Sequence, residues 1–247
     1  MNRSRSSRLN TLMSYLTPPY PCGYLDDRDA TNQFINPEQP VDTPLYNHLI
    51  KLGFRRSGDY VYRPRCFGCS ECVPVRVPVE DFSPNRSQRR NLRDNSDLQV
   101  IEHPPEFNEE HFDLYRRYLQ WRHDGGGMEN PSPRDYMGFL TSRLIDTCFY
   151  EFRDGGTLVG VAATDCLPDS LSAVYTFYDP RCRDRGLGVY AVLRQVAEAR
   201  RLGLSWVYLG YWINACAKMQ YKSQYRPLEI FRQGRWIHTE RLGAPAQ

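Results

Sequence analysis

The sequence predicts an α+β protein in two unequal parts: a smaller cysteine-containing N-terminal region, and a C-terminal part of strands and helices sharing one sheet. Three observations predict this. CFYEFRD, TLVGVAATDCL and SLSAVYTFYDP are consecutive strand-like runs, parted by turn residues at Asp154-Gly155-Gly156 and Leu167-Pro168-Asp169-Ser170. RCRDRGLG then opens a helix whose apolar positions Val189, Val192, Leu193, Val196 and Ala197 follow a 3.6-residue period. Upstream, RPRCFGCSECVPVR spaces Cys66, Cys69 and Cys72 evenly ahead of alternating valines.

Taken in order, Asp42-Thr43-Pro44 is a helix start, Leu45, Leu49 and Leu52 share a face, and Gly53 is the stop. FRRSGDYVY reads as a hairpin turning at Ser57-Gly58-Asp59. In CVPVRVPV, Val73, Val75, Val77 and Val79 alternate, which predicts a strand with one buried face. The arginine-rich PNRSQRRNLR follows it. IEHPPEF, Ile101 to Phe107, reads as a hinge, so the chain is divided into regions 1–104 and 105–247. A helix is predicted from about Asn108 to His123, with Phe112, Tyr115 and Leu119 on one side. The polar loop HDGGGMENPSP leads to a second helix, where Ser132-Pro133-Arg134-Asp135 has the form of a capping box. After the long helix come the strand LSWVYLGYWI, the short helix NACAKMQYK and a closing hairpin in EIFRQGRWIH.

The resulting order, strand-strand-strand-helix-strand-helix-strand, resembles the GNAT acyltransferase fold. Its R-x-x-G-x-G loop is matched by Arg183, Gly186 and Gly188. Such a loop offers backbone N–H groups and a helix N-terminus to a phosphate, although two glycines also serve a tight turn. Fold alone does not settle function. Acetyl-CoA-dependent acetylation and transfer of an aminoacyl group from tRNA both bring an activated acyl donor to an amine.

The chain has 247 residues and 40% hydrophobic residues, enough for a sizeable core. No apolar run is long enough to span a membrane. The basic N-terminus lacks the apolar core of a secretory signal, so a cytoplasmic protein is expected. In that reducing compartment the eight cysteines read as ligands or redox groups rather than disulfides. The net charge is +3, with only three of the 32 basic residues being lysine. Arg86, Arg89, Arg90 and Arg93 lie together with no acid among them, and Arg3, Arg5 and Arg8 form a basic arm. Arginine's planar fork suits phosphate, which fits RNA; a solvated helix face is the bland alternative.

Several blocks carry a closer resemblance: CGYLDDRDA, GFRRSGDYVYRPRCFGCSECVPVRV, FSPNRSQRRNLRDNSDL and LGYWINACAKMQYK. They resemble the arginyltransferase family, whose members move an amino acid from aminoacyl-tRNA to a protein N-terminus. The length and the blocks are similar to its short bacterial leucyltransferase branch. That resemblance implies transfer of leucine from leucyl-tRNA, with arginyl-tRNA the alternative donor, to proteins beginning with Asp or Glu. The product would pass to the protein-degradation machinery as an N-degron, and the transfer itself would need no cofactor. Two other readings remain open on the residues: an acetyl-CoA-dependent N-acetyltransferase, and a non-catalytic tRNA-binding protein.

An aminoacyl ester is already activated, so aminolysis needs no covalent intermediate, only positioning and oxyanion stabilisation. This agrees with the scattered histidines at 48, 103, 111, 123 and 238, and no general base is assigned. An acidic acceptor calls for cations. The candidates are Arg76, Lys218 and Lys222, the two lysines being four residues apart on one helix face. Tyr211, Trp212 and Tyr221 are expected to wall the cleft or stack the terminal adenosine, if they are not plain core. Arg86, Arg89, Arg90 and Arg93 are the candidates for tRNA contact, and the Gly125-Gly126-Gly127 loop reads as a connector.

Cys22, with Cys66, Cys69 and Cys72, would supply four thiolates for zinc or an iron–sulfur cluster. Larger relatives of the family carry a cysteine cluster associated with iron–sulfur binding. Cys22 and Cys69 match that pattern, but Leu25 stands where their second cysteine lies, so Cys66 and Cys72 would have to substitute.

Overall fold

The computed structural model describes residues 12–122 and 130–239. The arm with Arg3, Arg5 and Arg8, the Gly125-Gly126-Gly127 loop and His123 lie outside the described residues.

The chain opens with four short strands, β1 (Ser14–Leu16), β2 (Tyr20–Pro21), β3 (Asp29–Ala30) and β4 (Asn32–Ile35). Asp42 then accepts the Leu45 N–H at 2.9 Å and starts α1 (Thr43–Lys51), which buries Leu45, Tyr46, Leu49 and Ile50. Leu52 lies past the helix and is exposed, so it does not extend that face. The hairpin β5 (Arg55–Ser57) and β6 (Tyr60–Pro64) turns at Gly58. Glycine is required there, because φ is +59° and the Gly138 carbonyl oxygen occupies the place of a Cβ. Strands β1, β4, β6 and β5, in that order, form a four-stranded antiparallel sheet.

Next come β7 (Val73–Pro78), α2 (Arg86–Asp94), β8 (Gln99–His103), α3 (Glu109–Arg122) and α4 (Pro133–Leu140). Asn85 and Gln88 cap α2 reciprocally, as Ser132 and Asp135 cap α4. The remaining strands are β9 (Thr147–Asp154), β10 (Thr157–Leu167), β11 (Ser170–Tyr178), β12 (Trp206–Trp212), β13 (Leu228–Arg232) and β14 (Arg235–Thr239). Between β11 and β12 run a 3-10 turn (Pro180–Arg185) and α5 (Leu187–Arg201). Between β12 and β13 lie the short α6 (Ala217–Gln220) and a second 3-10 turn (Tyr221–Gln224).

The eight-stranded sheet has the order β14-β13-β7-β12-β11-β10-β9-β8. Every neighbouring pair is antiparallel except β11 and β12, which α5 connects by the crossover a parallel pair demands. Both faces of this sheet are covered, and a bulge in β10 between Leu158 and Gly160 shifts which residues face each side. Val161 and Ala163 of β10 pack with α3 and α4, while Val159 and Ala162 pack with Leu187, Tyr190 and Ala191 of α5. The fold is thus α+β, with the GNAT-like succession β9, β10, β11, α5, β12, α6, β13. No helix among the described residues is long and apolar enough to cross a membrane.

Three expectations change. β7 has both faces covered, since Arg76 and Pro78 are buried along with the valines; it is an interior strand between β13 and β12. Ile101 to His103 belong to β8, which pairs with β9 at the sheet edge, and the chain breaks only at Pro104. The division at residue 104 therefore does not divide the sheet: β7 and β8 precede it in sequence and are strands of the same sheet as β9 to β14.

Candidate active site

β11 and β12 pair only through Ser170 to Ser172 and Trp206 to Tyr208, and beyond that point the ladder stops. On its other side β12 carries a bulge between Tyr208 and Gly210, where Gly210 has φ +82°. Arg55 lies in this opening. It donates from Nη1 to Ser172 Oγ at 3.1 Å and from Nη2 to the Ala173 carbonyl at 2.6 Å. Its guanidinium carbon is 3.4 Å from where a Gly210 Cβ would stand, so the missing side chain lets the cation approach the strand. Arg56, the next residue along β5, points the other way. It pairs with buried Asp165 and donates to the Leu140 carbonyl at 2.9 Å and Thr147 Oγ1 at 3.1 Å.

Lys222 approaches from the turn after α6. Its Nζ donates to the Tyr211 carbonyl at 2.6 Å and lies 3.3 Å from Met219 Sδ. The side chain is only 6% exposed. Burial, and then the nearby Arg55 charge, push its pKa down to about 7. Neither Arg55 nor Lys222 forms an ion pair with a carboxylate among the described residues.

Tyr211 and Tyr221 lie beside these basic groups. Tyr211 is buried, donates to the Gly53 carbonyl at 3.0 Å, and lies 6.4 Å from the Tyr62 ring; burial holds its hydroxyl protonated well above the ordinary range. Tyr221 is partly exposed and meets Tyr225 edge-on. Tyr118, Trp121 and Tyr178 pack together with centroids 5.1–6.0 Å apart. Burial, with Tyr178 and Tyr221 nearby, raises the Tyr118 pKa to about 12.

The residues predicted from sequence are distributed unevenly around this opening. Lys222, Tyr211 and Tyr221 come together. Lys218 is exposed, because α6 gives way to a 3-10 turn at Tyr221, so the two lysines do not share a face. Trp212 is buried in the core with the β7 valines and α5. The Arg76 charge is already taken up: Nε meets Glu229 at 2.5 Å, Nη1 donates to the Tyr208 hydroxyl at 2.9 Å, and the guanidinium lies between Trp206 and Trp236. Arg86, Arg89, Arg90 and Arg93 are all exposed on α2, whose single buried residue is Gln88. Asn91 and Asn95 of that helix each donate to the Arg185 carbonyl at 2.9 Å, fastening α2 to the Arg183–Gly188 loop. Gly186 there has φ +65°, and Asn91 Nδ2 is 2.8 Å from the place of its Cβ. Arg55 was not singled out from the sequence; the only signal was its alternation with Arg56 in a two-residue arginine run on a strand.

The zinc or iron–sulfur expectation finds no support in the described residues. The four cysteines lie near one another, since burial and then the Cys66, Cys22 and Cys69 thiols raise the Cys72 pKa to about 12. Yet among the described residues no group of three or more His, Cys, Asp or Glu is placed to hold a metal ion. Cys66 Sγ is turned to the Thr31 backbone instead, accepting its N–H at 3.4 Å. The thiols are of the right kind for a tetrahedral centre, but as placed they do not form one.

An aspartate/glutamate leucyltransferase of Pseudomonas aeruginosa (strain LESB58) is 54% identical over 231 residues, covering 94% of this chain and 98% of the relative. Proteins of the same name from Pseudomonas fluorescens (strain Pf0-1) and Nitrosococcus oceani are each 52% identical, covering 94% and 90% of this chain and 98% and 94% of theirs. Among solved structures, FemX is 9% identical with a TM-score of 0.47, covering 85% of this chain and 82% of FemX. L-PGS from Bacillus licheniformis is 13% identical with a TM-score of 0.42, covering 68% and 48%. Residues 20–90 match the N-terminal model, and residues 110–232 the C-terminal model, of the arginine-tRNA-protein transferases. With both models matched in their proper order, the chain belongs to the arginine-tRNA-protein transferase family.

Proposed function

We propose that this protein transfers leucine from leucyl-tRNA to the N-terminal Asp or Glu of acceptor polypeptides in the cytoplasm, marking them for degradation. One observation carries the reading at the site: two basic side chains, Arg55 and Lys222, stand in a gap between strands, and no carboxylate among the described residues pairs with either. An acceptor's acidic side chain supplies the missing charge. The name borne by the relatives, aspartate/glutamate leucyltransferase, supports the choice of both amino acids.

The chemistry asks little else of the protein. The acceptor α-amine, whose ordinary pKa is about 7.7–8.0, is partly neutral at working pH. Its nitrogen attacks the ester carbonyl of the aminoacyl group, forming the C–N bond. The C–O bond to the terminal ribose breaks, and the proton shed by nitrogen ends on the ribose oxygen. Lys222 anchors the acceptor carboxylate beside the opening, with Arg55 adding positive charge. The exposed arginines of α2 hold the tRNA backbone.

A transfer assay tests this, pairing leucyl-tRNA, arginyl-tRNA or acetyl-CoA with peptides beginning in Asp, Glu, Lys or Ala. Leucine on the Asp and Glu peptides alone is the expected result. Arginine transfer would keep the family and change the donor; acetyl transfer would overturn the reading. Tight tRNA binding without product would leave a binding protein.

A further inference from the structure

The small N-terminal sheet carries a row of aromatic side chains contributed by residues far apart in sequence. Tyr15 of β1 stands opposite Phe34 of β4, Phe34 opposite Tyr62 of β6, and Tyr62 opposite Arg55 of β5. Residues directly opposite in a ladder project from one face, so the four form a single line across the sheet. The rings are close. Tyr15 and Phe34 stack at 5.8 Å with planes 17° apart, and Phe34 and Tyr62 stack at 5.4 Å with planes 29° apart. The line continues to Tyr211, 6.4 Å from Tyr62, at the mouth of the opening between β11 and β12. Tyr60 flanks it, edge-on to Phe34. Tyr15 and Tyr60 are 46% and 54% exposed.

The outer end of the row is open to solvent at Tyr15 and Tyr60, while its inner end, Tyr211, is buried. We infer that this row is a stacking platform for the unpaired 3′ end of the tRNA, guiding the aminoacylated nucleotide into the opening beside Arg55. The inference rests on the tRNA-dependent reading above. Three features favour a single strand of nucleic acid. Every base has a π-face, so the open face of Tyr15 at the outer end of the row, with exposed Tyr60 beside it, accepts a base whatever its sequence. The row contains no carboxylate to repel a polyanion, and its inner end reaches Arg55 beside the opening. Finally, the row is continuous with the place where the ester must react.

The test is a fluorescence-anisotropy titration of the full-length protein with two uncharged RNA hairpins, one ending in a four-nucleotide unpaired 3′ overhang and one blunt. The wild type is expected to prefer the overhang. Tyr15→Ala should weaken binding of the overhang hairpin about fivefold or more while leaving the blunt hairpin unchanged. Phe34→Trp, which keeps a ring, should retain the preference. Tyr15 lies exposed on an edge strand, so a melting curve matching wild type separates this effect from misfolding.

Equal binding of both hairpins by the wild type, or overhang binding unaffected by Tyr15→Ala, would overturn the inference. So would a Tyr15→Ala variant whose KM rises only for the acceptor peptide, since the row would then seat the polypeptide. The two readings fail separately. Overhang preference without leucine transfer sinks the proposed activity, whereas leucine transfer with an indifferent Tyr15→Ala sinks only the platform.

Discussion

The ε-amino group of Lys222 is tied to the backbone of Tyr211, donating to its carbonyl oxygen at 2.6 Å. With its pKa lowered to about 7, Lys222 is charged below that pH and progressively neutral above it. Preference for an Asp peptide over its Asn counterpart, measured as a ratio of kcat/KM, should therefore be greatest below pH 7 and decline towards pH 9. The ratio cancels the acceptor amine's own titration. Lys222→Arg should hold the ratio flat. Stability follows the opposite sign. The folded pKa lies below the unfolded one, so the unfolded chain binds more protons between them. Wild type should gain stability relative to Lys222→Met as pH rises from about 7 to 10.5, and urea melts across that window read it directly.

Among the described residues Arg55 is bound to neutral groups, Ser172 Oγ and the Ala173 carbonyl. Lysine lacks the fork that spans both. Arg55→Lys should lower kcat/KM about tenfold or more, in line with losing one charge-assisted hydrogen bond of about 1.5–3 kcal/mol. Steady-state kinetics alongside a thermal melt would check this; a purely structural role would lower Tm in proportion.

Arg56 presents the contrasting case, being buried against Asp165 with both side chains almost fully enclosed. Arg56→Leu strands a buried carboxylate and should cost about 3–5 kcal/mol in a urea titration. Replacing Asp165 as well should recover part of that loss. Full stability in Arg56→Leu alone would mean the pair contributes nothing.

The α2 arginines should act through phosphate. Arg90→Ala should weaken tRNA binding and reduce the slope of log K against log salt by about one unit. The fold should be untouched, because α2 docks through Gln88, Asn91 and Asn95 rather than its arginines. An unchanged slope would remove Arg90 from the interface.

Cys72 should be slow to alkylate. With its pKa raised to about 12 by burial and neighbouring thiols, only about one part in ten thousand is thiolate at pH 8. Mass spectrometry after iodoacetamide treatment should find it unmodified when a free model thiol is fully labelled. Stoichiometric zinc or iron in the purified protein, with Cys72 protected by it, would contradict the geometry described.

Local signals in the sequence transmitted well. Asp42 and Ser132 start helices because a short oxygen-bearing side chain reaches an unpaired N–H, and that is decided within four residues. The succession from β9 to β13 was likewise visible, since each element carries its own periodicity. What escaped was everything assembled across the chain. Two histidine-flanking prolines made Ile101 to Phe107 resemble a hinge, although β8 needs only β9 beside it to form. The spacing of Lys218 and Lys222 suggested a shared face, which fails once the helix tightens at Tyr221. Arg76 looked available because Glu229, its partner, lies 153 residues away. Arg55 looked ordinary for the same reason, its partners Ser172 and Ala173 being 117 and 118 residues distant.

The seat of β7 between β12 and β13 has a consequence for how the chain is made. During synthesis Val73 to Pro78 leave the ribosome long before either neighbour exists, and must wait as an apolar strand with two open edges. β12 and β13 in turn have nothing to pair with at their junction unless those early residues have been kept out of other associations. A nascent chain halted before Trp206 should therefore be a client for chaperones, and a fragment beginning after residue 104 should be recovered in inclusion bodies. Fusing the two halves in swapped order, with a linker, would shorten that wait by letting β7 emerge after its partners.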